Sequence, residues 1–164
     1  MSRSINLPDL FSFELHFEDA SVEFLKSETG VEVFPSASDS DLITPRIEVL
    51  FQSQEAELPN DDPIVSDPAL NLAEYLKHTA TFQVSVVTDS FLEQSRSVHH
   101  SLIGKIRTSL LRSSSNWNGT NLPYYDLKFL RHLSSFREVD GDLFRTTMIY
   151  EIKFAIRGDA FPVS

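Results

Sequence analysis

The stretch EVDGDLFRTTMIYEIKFAIR, residues 138–157, decides the fold of this chain. Its second half alternates apolar and polar side chains with the period of a half-buried β-strand. Its first half supplies Asp-Gly turn chemistry, and a second alternating run lies upstream at Tyr125, Leu127, Phe129 and Leu133. The sequence therefore predicts a long antiparallel hairpin as the last pair of strands.

A first helix is predicted over about residues 8–28. Pro8 suits the first helical position, and Gly30 lies where a helix commonly stops. A strand-like alternation from Phe11 to Phe17 competes, but the helical spacing of apolar residues persists for longer. The positions with helical spacing are Leu10, Phe13, Phe17, Ala20 and Phe24.

A second helix is predicted from Asp89 or Ser90 to about residue 112. Glu93 follows Ser90 at capping-box spacing, and basic residues near the far end complement the helix dipole. We expect His99, on the apolar face of this helix, to be packed or at an interface, and His100 to lie on the surface. The apolar face also carries Leu92, Ile103, Ile106 and Leu110.

Three further strands are predicted between the helices: residues 31–34, a strand opened by Pro45, and a strand around Val84. Residues 35–44 are expected to form a loop, and residues 53–79 a long acidic connection with a short helix at about 69–77. Two helices covering one face of an antiparallel or mixed sheet make an α+β fold, a two-layer sandwich with a long C-terminal hairpin.

Length and composition limit the class of protein. The 164 residues, 41% of them hydrophobic, are expected to form a single domain over residues 1–164. There is no cysteine, so disulfides and thiolate metal sites are excluded. The N-terminus does not read as a secretory signal, and no apolar stretch approaches the ~20 residues of a membrane span.

The net charge of −10 is unevenly distributed along the chain. Residues 1–82 carry 4 Lys and Arg against 16 Asp and Glu, whereas residues 83–164 carry 10 against 8. Acidic loops that keep a small protein soluble are one interpretation. The other is that the acidic part of one copy meets the basic part of the next.

No arrangement of residues points to catalysis. His99 and His100 are adjacent, so on a helix they diverge and cannot hold one metal ion together. The acidic pair Asp61-Asp62 lacks the spacing of a calcium loop, and the 5 glycines form no phosphate-binding loop. We predict no catalytic residue, no metal site and no cofactor, and therefore a protein that is not an enzyme. The basic residues after position 104 lack a pattern for specific DNA binding.

The order of predicted elements resembles that of the tail terminator (tail completion) proteins of long-tailed bacteriophages. The resemblance rests on a helix and a strand, a Pro-introduced strand with TPRIEV at residues 44–49, and a strand with TFQVSV at residues 81–86. A long helix and a closing hairpin follow. It covers nearly the whole chain and depends on element order without signature residues. The 53–79 connection is longer than the simple connection usual in that family.

The resemblance implies a structural virion protein located in the tail or neck and assembled in the host cytoplasm. Such proteins form a ring, typically of six copies, that caps the tail tube protein and meets a neck or head-completion protein. Genome DNA would pass through the lumen without specific binding. An acidic or neutral lumen, contributed by part of residues 1–82, suits this passage because arginines would retain phosphates.

Head-to-tail contacts between an acidic and a basic part of the chain generate closed rings. We therefore expect basic residues of the second half to meet acids of the 53–67 segment. Trp117, the sole tryptophan, lies in a polar loop, where it is either a contact anchor or a packed residue. The candidate interface residues are Arg107, Arg112, Arg131, Asp61, Asp62 and Trp117.

Two alternatives remain open at the level of sequence. One is another ring component of the neck or head-tail connector. The other is a soluble α+β binding module with a small ligand or a protein partner. Oligomeric mass distinguishes the module from a ring protein, because the module would stay monomeric at high concentration.

Overall fold

The helices and strands follow the predicted order. The computed structural model describes residues 13–35, 43–56, 77–89, 93–112 and 125–156. Its elements are α1 (Phe13–Thr29), β1 (Glu32–Pro35), β2 (Arg46–Ala56), β3 (Lys77–Asp89), α2 (Glu93–Arg112), β4 (Tyr125–Asp140) and β5 (Leu143–Ile156). The predicted helix start at Pro8, the N-cap at Ser90 and most of the short helix at 69–77 lie outside the described residues.

The five strands form one mixed sheet in the order β1-β2-β3-β5-β4. Strands β1 and β2 are parallel, and the other neighbouring pairs are antiparallel. The last strand along the chain, β5, therefore lies inside the sheet between β3 and β4. Strands β1 and β4 are the two edges.

Both helices pack on one face of the sheet, which confirms the predicted two-layer α+β fold. Helix α1 lies mainly against β1 and β2, and α2 lies against β3 and β4. The first turns of α1 also reach the middle of the sheet, since the ring centroids of Phe13 and Phe154 are 3.5 Å apart. Phe17 meets Phe82 edge to face at 4.8 Å.

The alternation of apolar and polar residues over 144–154 corresponds to alternate burial along β5. Its helix-facing side chains from position 146 to position 154 are buried: Thr146, Met148, Tyr150, Ile152 and Phe154. Burial of these side chains, at ~25 cal/mol per Å² of apolar surface, is the main favourable contribution that holds the layers together. The phenylalanine face predicted for α1 is also confirmed, because Phe13, Phe17 and Phe24 are buried.

Gly30 ends α1 as the sequence predicts. Its φ is +73°, and its N–H donates to the carbonyl oxygen of Lys26 at 2.9 Å. A residue with positive φ directly after the last turn satisfies a carbonyl that the helix leaves unpaired.

The connection between β2 and β3 is shorter than predicted, because both strands extend into residues 53–79. Ser53 pairs with Thr81, and Glu55 pairs with Thr79. The hydroxyls of Ser53 and Thr81 also lie within hydrogen-bond distance, at 2.5 Å. Polar cross-strand pairs thus continue the ladder beyond the part of each strand that shows apolar alternation.

The second face of the sheet carries a polar network at the end near the hairpin turn. The Glu48 Oε2 atom accepts from Arg145 Nη1 at 3.0 Å and from Arg46 Nε at 3.4 Å. The neighbouring hydroxyls of Ser85 and Thr147 are buried and 2.9 Å apart. These side chains project from β2, β3 and β5, so the network fixes the register of the central strands.

Candidate interaction surface

Strand β4 is a long edge strand, and its described side chains are exposed on both faces of the sheet. Residues 131–139 are all exposed. Three of them are apolar: Leu133, Phe136 and Val139 are 41%, 45% and 69% exposed. An edge strand of 16 residues presents a row of backbone groups and these apolar side chains to solvent. Soluble monomers usually avoid such an edge, and exposed apolar patches mark contact surfaces.

Two bulges in β4 account for a departure from the sequence prediction. The register of β4 against β5 shifts between Leu127 and Phe129, and again between His132 and Ser134. Leu133 therefore lies at a bulge and is exposed, although the alternating run placed it on one face with Tyr125, Leu127 and Phe129. A bulge inserts one residue and so reverses the alternation beyond it.

Two of the predicted interface arginines lie on the same side of the molecule as β4 and already have partners within the subunit. Arg131 forms an ion pair with Glu151 at 3.1 Å. Arg107 donates to the Ser135 hydroxyl at 3.4 Å, which joins α2 to the edge strand. Both side chains are exposed, so each remains accessible to a second molecule.

The remaining candidate residues are only partly placed. Arg112 is the last residue of α2, and its side chain lies outside the described part of the structure. Asp61, Asp62 and Trp117 lie outside the described residues altogether. Their roles at an interface stay predictions.

A cleft of about 330 Å³ lies where the N-terminal half of α2 meets the hairpin turn. We call it the hairpin cleft; it is lined by Thr88, Asp89, Arg96, His100, Arg137, Val139 and Phe144. Arg96 and Arg137 make no ion pair with the described residues. The cleft thus combines an apolar side, at Val139 and Phe144, with two guanidinium groups that form no ion pair within the described ranges.

His99 is buried beside the hairpin cleft and is held on both sides by hydroxyls. Its Nδ1 lies 2.9 Å from Thr88 Oγ1, and its Nε2 lies 2.7 Å from Thr146 Oγ1. Burial lowers the pKa of His99 from 6.5 to about 4, with smaller contributions from His100 and Arg137. The imidazole is therefore neutral at pH 7 and bridges α2, β3 and β5. The expectation that His99 is packed is confirmed, and His100 is exposed as predicted.

Two other groups have shifted pKa values. Burial raises the pKa of Tyr150 to about 12. Burial also raises the pKa of Glu18, although the N–H of Phe51 donates to its carboxylate at 3.5 Å and opposes the rise. Among the described residues, neither group is paired as a nucleophile is with its general base.

The sequence interpretation missed the hairpin cleft, because its lining comes from residues 88–100 and 137–144. The only signal was the concentration of basic residues in the second half of the chain. Within the described ranges, no three His, Cys, Asp or Glu side chains group as metal ligands would. No helix there has the length and apolarity needed to cross a bilayer.

The fold and the surface define a two-layer α+β protein with an open hairpin edge. No protein-family model matches the chain, and no curated protein matches its sequence. Among solved structures it is similar to a chain of the virion of a native gene transfer agent particle, at 14% identity and a TM-score of 0.47. That match covers 80% of this chain and 84% of the other.

A second solved protein, which carries only a sequence identifier as its name, is similar at 13% identity and a TM-score of 0.47. The match covers 95% of this chain and 98% of that protein. At these identities and scores the likeness concerns the path of the chain, and it carries no argument about function.

Proposed function

We propose that this chain is a structural virion protein: a ring-forming tail terminator that caps the tail tube and joins it to the neck. It is not an enzyme and needs no cofactor. In this proposal the chain assembles with copies of itself into one closed ring of six subunits. The tail tube protein and a neck or head-completion protein bind the two ends of that ring.

The observation that carries this proposal is the open edge of β4. Its apolar side chains and its backbone edge, which no other described strand pairs, suit contact with another protein surface, and a ring supplies such a surface from an identical neighbour. The confirmed order of elements supports the same proposal, because the resemblance to tail terminators rests on that order.

The proposal includes the path of the genome. An acidic or neutral lumen, contributed by part of residues 1–82, lets DNA pass without specific binding. An image of the purified ring tests this directly, and a lumen lined by arginines would contradict it.

Native mass spectrometry of the purified chain tests ring formation. We expect a single closed species of about six subunits, and we expect Phe136→Lys to convert it to monomers. Phe136 is half exposed on the edge strand, so the substitution leaves the core intact while it places a charge in the contact. A wild-type chain that stays monomeric at high concentration would contradict the proposal and favour a binding module that uses the hairpin cleft.

Native mass spectrometry also tests the pairing of Arg107, Arg112 and Arg131 with acids of the 53–67 segment. Replacement of the three arginines by Glu should dissociate the ring, whereas an unchanged ring mass would exclude this pairing.

Co-sedimentation with tail tubes that lack heads separates a terminator from another neck ring, because only the terminator binds the tube on its own.

A further inference from the structure

We propose that the hairpin cleft binds the acidic face of helix α1 from a second copy of this chain. This inference rests on the proposed ring-forming function and names the two surfaces that meet. The contact joins two different surfaces of the subunit, because α1 lies mainly over β1 and β2 whereas the cleft lies between α2 and the hairpin. A contact between two different surfaces is repeated from copy to copy and closes into a ring when the rotation allows it.

The charge of the hairpin cleft defines the chemistry of its occupant. Arg96 and Arg137 line it without an ion pair to the described residues, and His100 lies beside them. Asp89, the acidic residue in the lining, has an interaction partner of its own. Guanidinium groups that face a cleft bind carboxylates well, because their planar donors match the two carboxylate oxygens.

Helix α1 offers carboxylates that form no ion pair with the described part of the chain. The helix carries five acidic residues and one basic residue, Lys26, which pairs with Glu32 at 3.2 Å. Glu14, Asp19 and Glu23 are exposed. Asp19 and Glu23 are four residues apart on the helix, so their like charges repel each other in the isolated subunit. A cationic partner relieves that repulsion.

The apolar parts of the two surfaces also match. Leu15, which is 58% exposed, lies on the same face of α1 as Asp19. Val139 and Phe144 form the apolar side of the hairpin cleft. In the proposed contact, Leu15 packs against the apolar side of the hairpin cleft, and Asp19 and Glu23 meet its two arginines. The contact therefore buries apolar surface and pairs opposite charges.

Charge reversal in the full-length chain tests this contact by native mass spectrometry across a concentration series. We expect the double variant R96E/R137E to raise the dissociation constant of the ring by at least about tenfold. The variant D19R/E23R should do the same. The combination of all four substitutions should restore the ring, because the charges are exchanged across the contact.

Lys105→Glu is the matched control. Lys105 is exposed on α2 and does not line the hairpin cleft, so the same change of charge should leave the ring mass unchanged. Circular dichroism and thermal unfolding of each variant confirm that the subunit is folded.

The outcomes separate this inference from the proposed function. A wild-type ring that R96E/R137E leaves intact would overturn the cleft contact and leave the proposed function standing. A ring that dissociates in R96E/R137E and is not restored by the exchange would overturn α1 as the occupant. A wild-type chain that forms no ring would overturn the proposed function, and this contact with it.

Discussion

His99 makes the stability of the subunit depend on pH. In the folded chain its pKa is lowered to about 4, whereas in the unfolded chain it titrates near 6.5. Between these two values the unfolded chain binds a proton that the folded chain does not, so stability decreases as the pH falls from about 6.5 to about 4. The full effect is on the order of 3 kcal/mol.

The variant His99→Gln tests this dependence. Gln retains a donor and an acceptor for the Thr88 and Thr146 hydroxyls but does not titrate. We expect the free energy of unfolding, measured with urea at pH 7, 5.5 and 4.5, to fall less steeply with acid in H99Q than in the wild type. Equal slopes would show that His99 is not responsible.

Phe82 and Phe136 are a matched pair of aromatic residues in different environments. Phe82 is fully buried between Phe17 and Tyr150, whereas Phe136 is half exposed on the edge strand. We expect Phe82→Ala to lower the free energy of unfolding by about 3–5 kcal/mol, since it leaves a cavity in the core. Phe136→Ala should change it by less than about 1 kcal/mol in the monomer. Denaturant unfolding measures both, and equal losses would contradict the assignment of the core.

Substitution of Gly30 and Gly104 by Ala should have opposite effects on the stability of the subunit. Gly30 has φ +73° after the last turn of α1, and Gly104 lies inside α2; a Cβ at either position meets nothing within 4 Å. The effects of Ala are therefore conformational. We expect Gly30→Ala to destabilise the subunit by about 1 kcal/mol. Gly104→Ala should stabilise it by about 0.5–1 kcal/mol. Thermal unfolding of the two variants should shift in opposite directions, and shifts of the same sign would contradict this account.

Helices and strands could be predicted from the sequence where the apolar residues follow one clear spacing, either helical or alternating. The helical spacing of the phenylalanines gave α1, and the alternation after Gly141 gave β5. The turn was located to within one residue: Asp140 pairs with Leu143, so its two central residues are Gly141 and Asp142. Gly141 has φ +59°, which suits a two-residue hairpin turn.

The bulges of β4 and the extra length of β2 and β3 could not be predicted in the same way. A bulge at Leu133 depends on how β4 fits against β5, and one strand alone carries no signal for it. Most side chains in the pairs beyond Phe51 and before Phe82 are polar, so the ends of these strands carry little of the apolar alternation that predicts a strand.

The interaction surface depends on contacts that are distant in sequence. Arg96 and Arg137 come from different elements, and the sheet order brings them to one cleft. The sequence predicted the charge asymmetry between the halves of the chain. It could not show that Arg131 already pairs with Glu151, whereas Arg96 and Arg137 form no ion pair with the described residues.

The strand order predicts where backbone amides resist hydrogen exchange. β3 and β5 are paired on both sides and lie under the helices, whereas β4 and β1 are edges. We expect the slowest exchange in β3 and β5 and faster exchange in β4. In the proposed ring, the exchange of β4 should be slower than in the monomer, and that of β3 should be unchanged. Exchange in β4 as slow as in β5 in the monomer would contradict this order.

The position of β5 also has a consequence for synthesis. The ribosome makes β3 and β4 before β5, yet these two strands are joined in the sheet only through β5. A nascent chain therefore has no complete sheet until its fifth strand has emerged. Translation products that stop before β5 lack the middle of the sheet, so they cannot form the folded subunit.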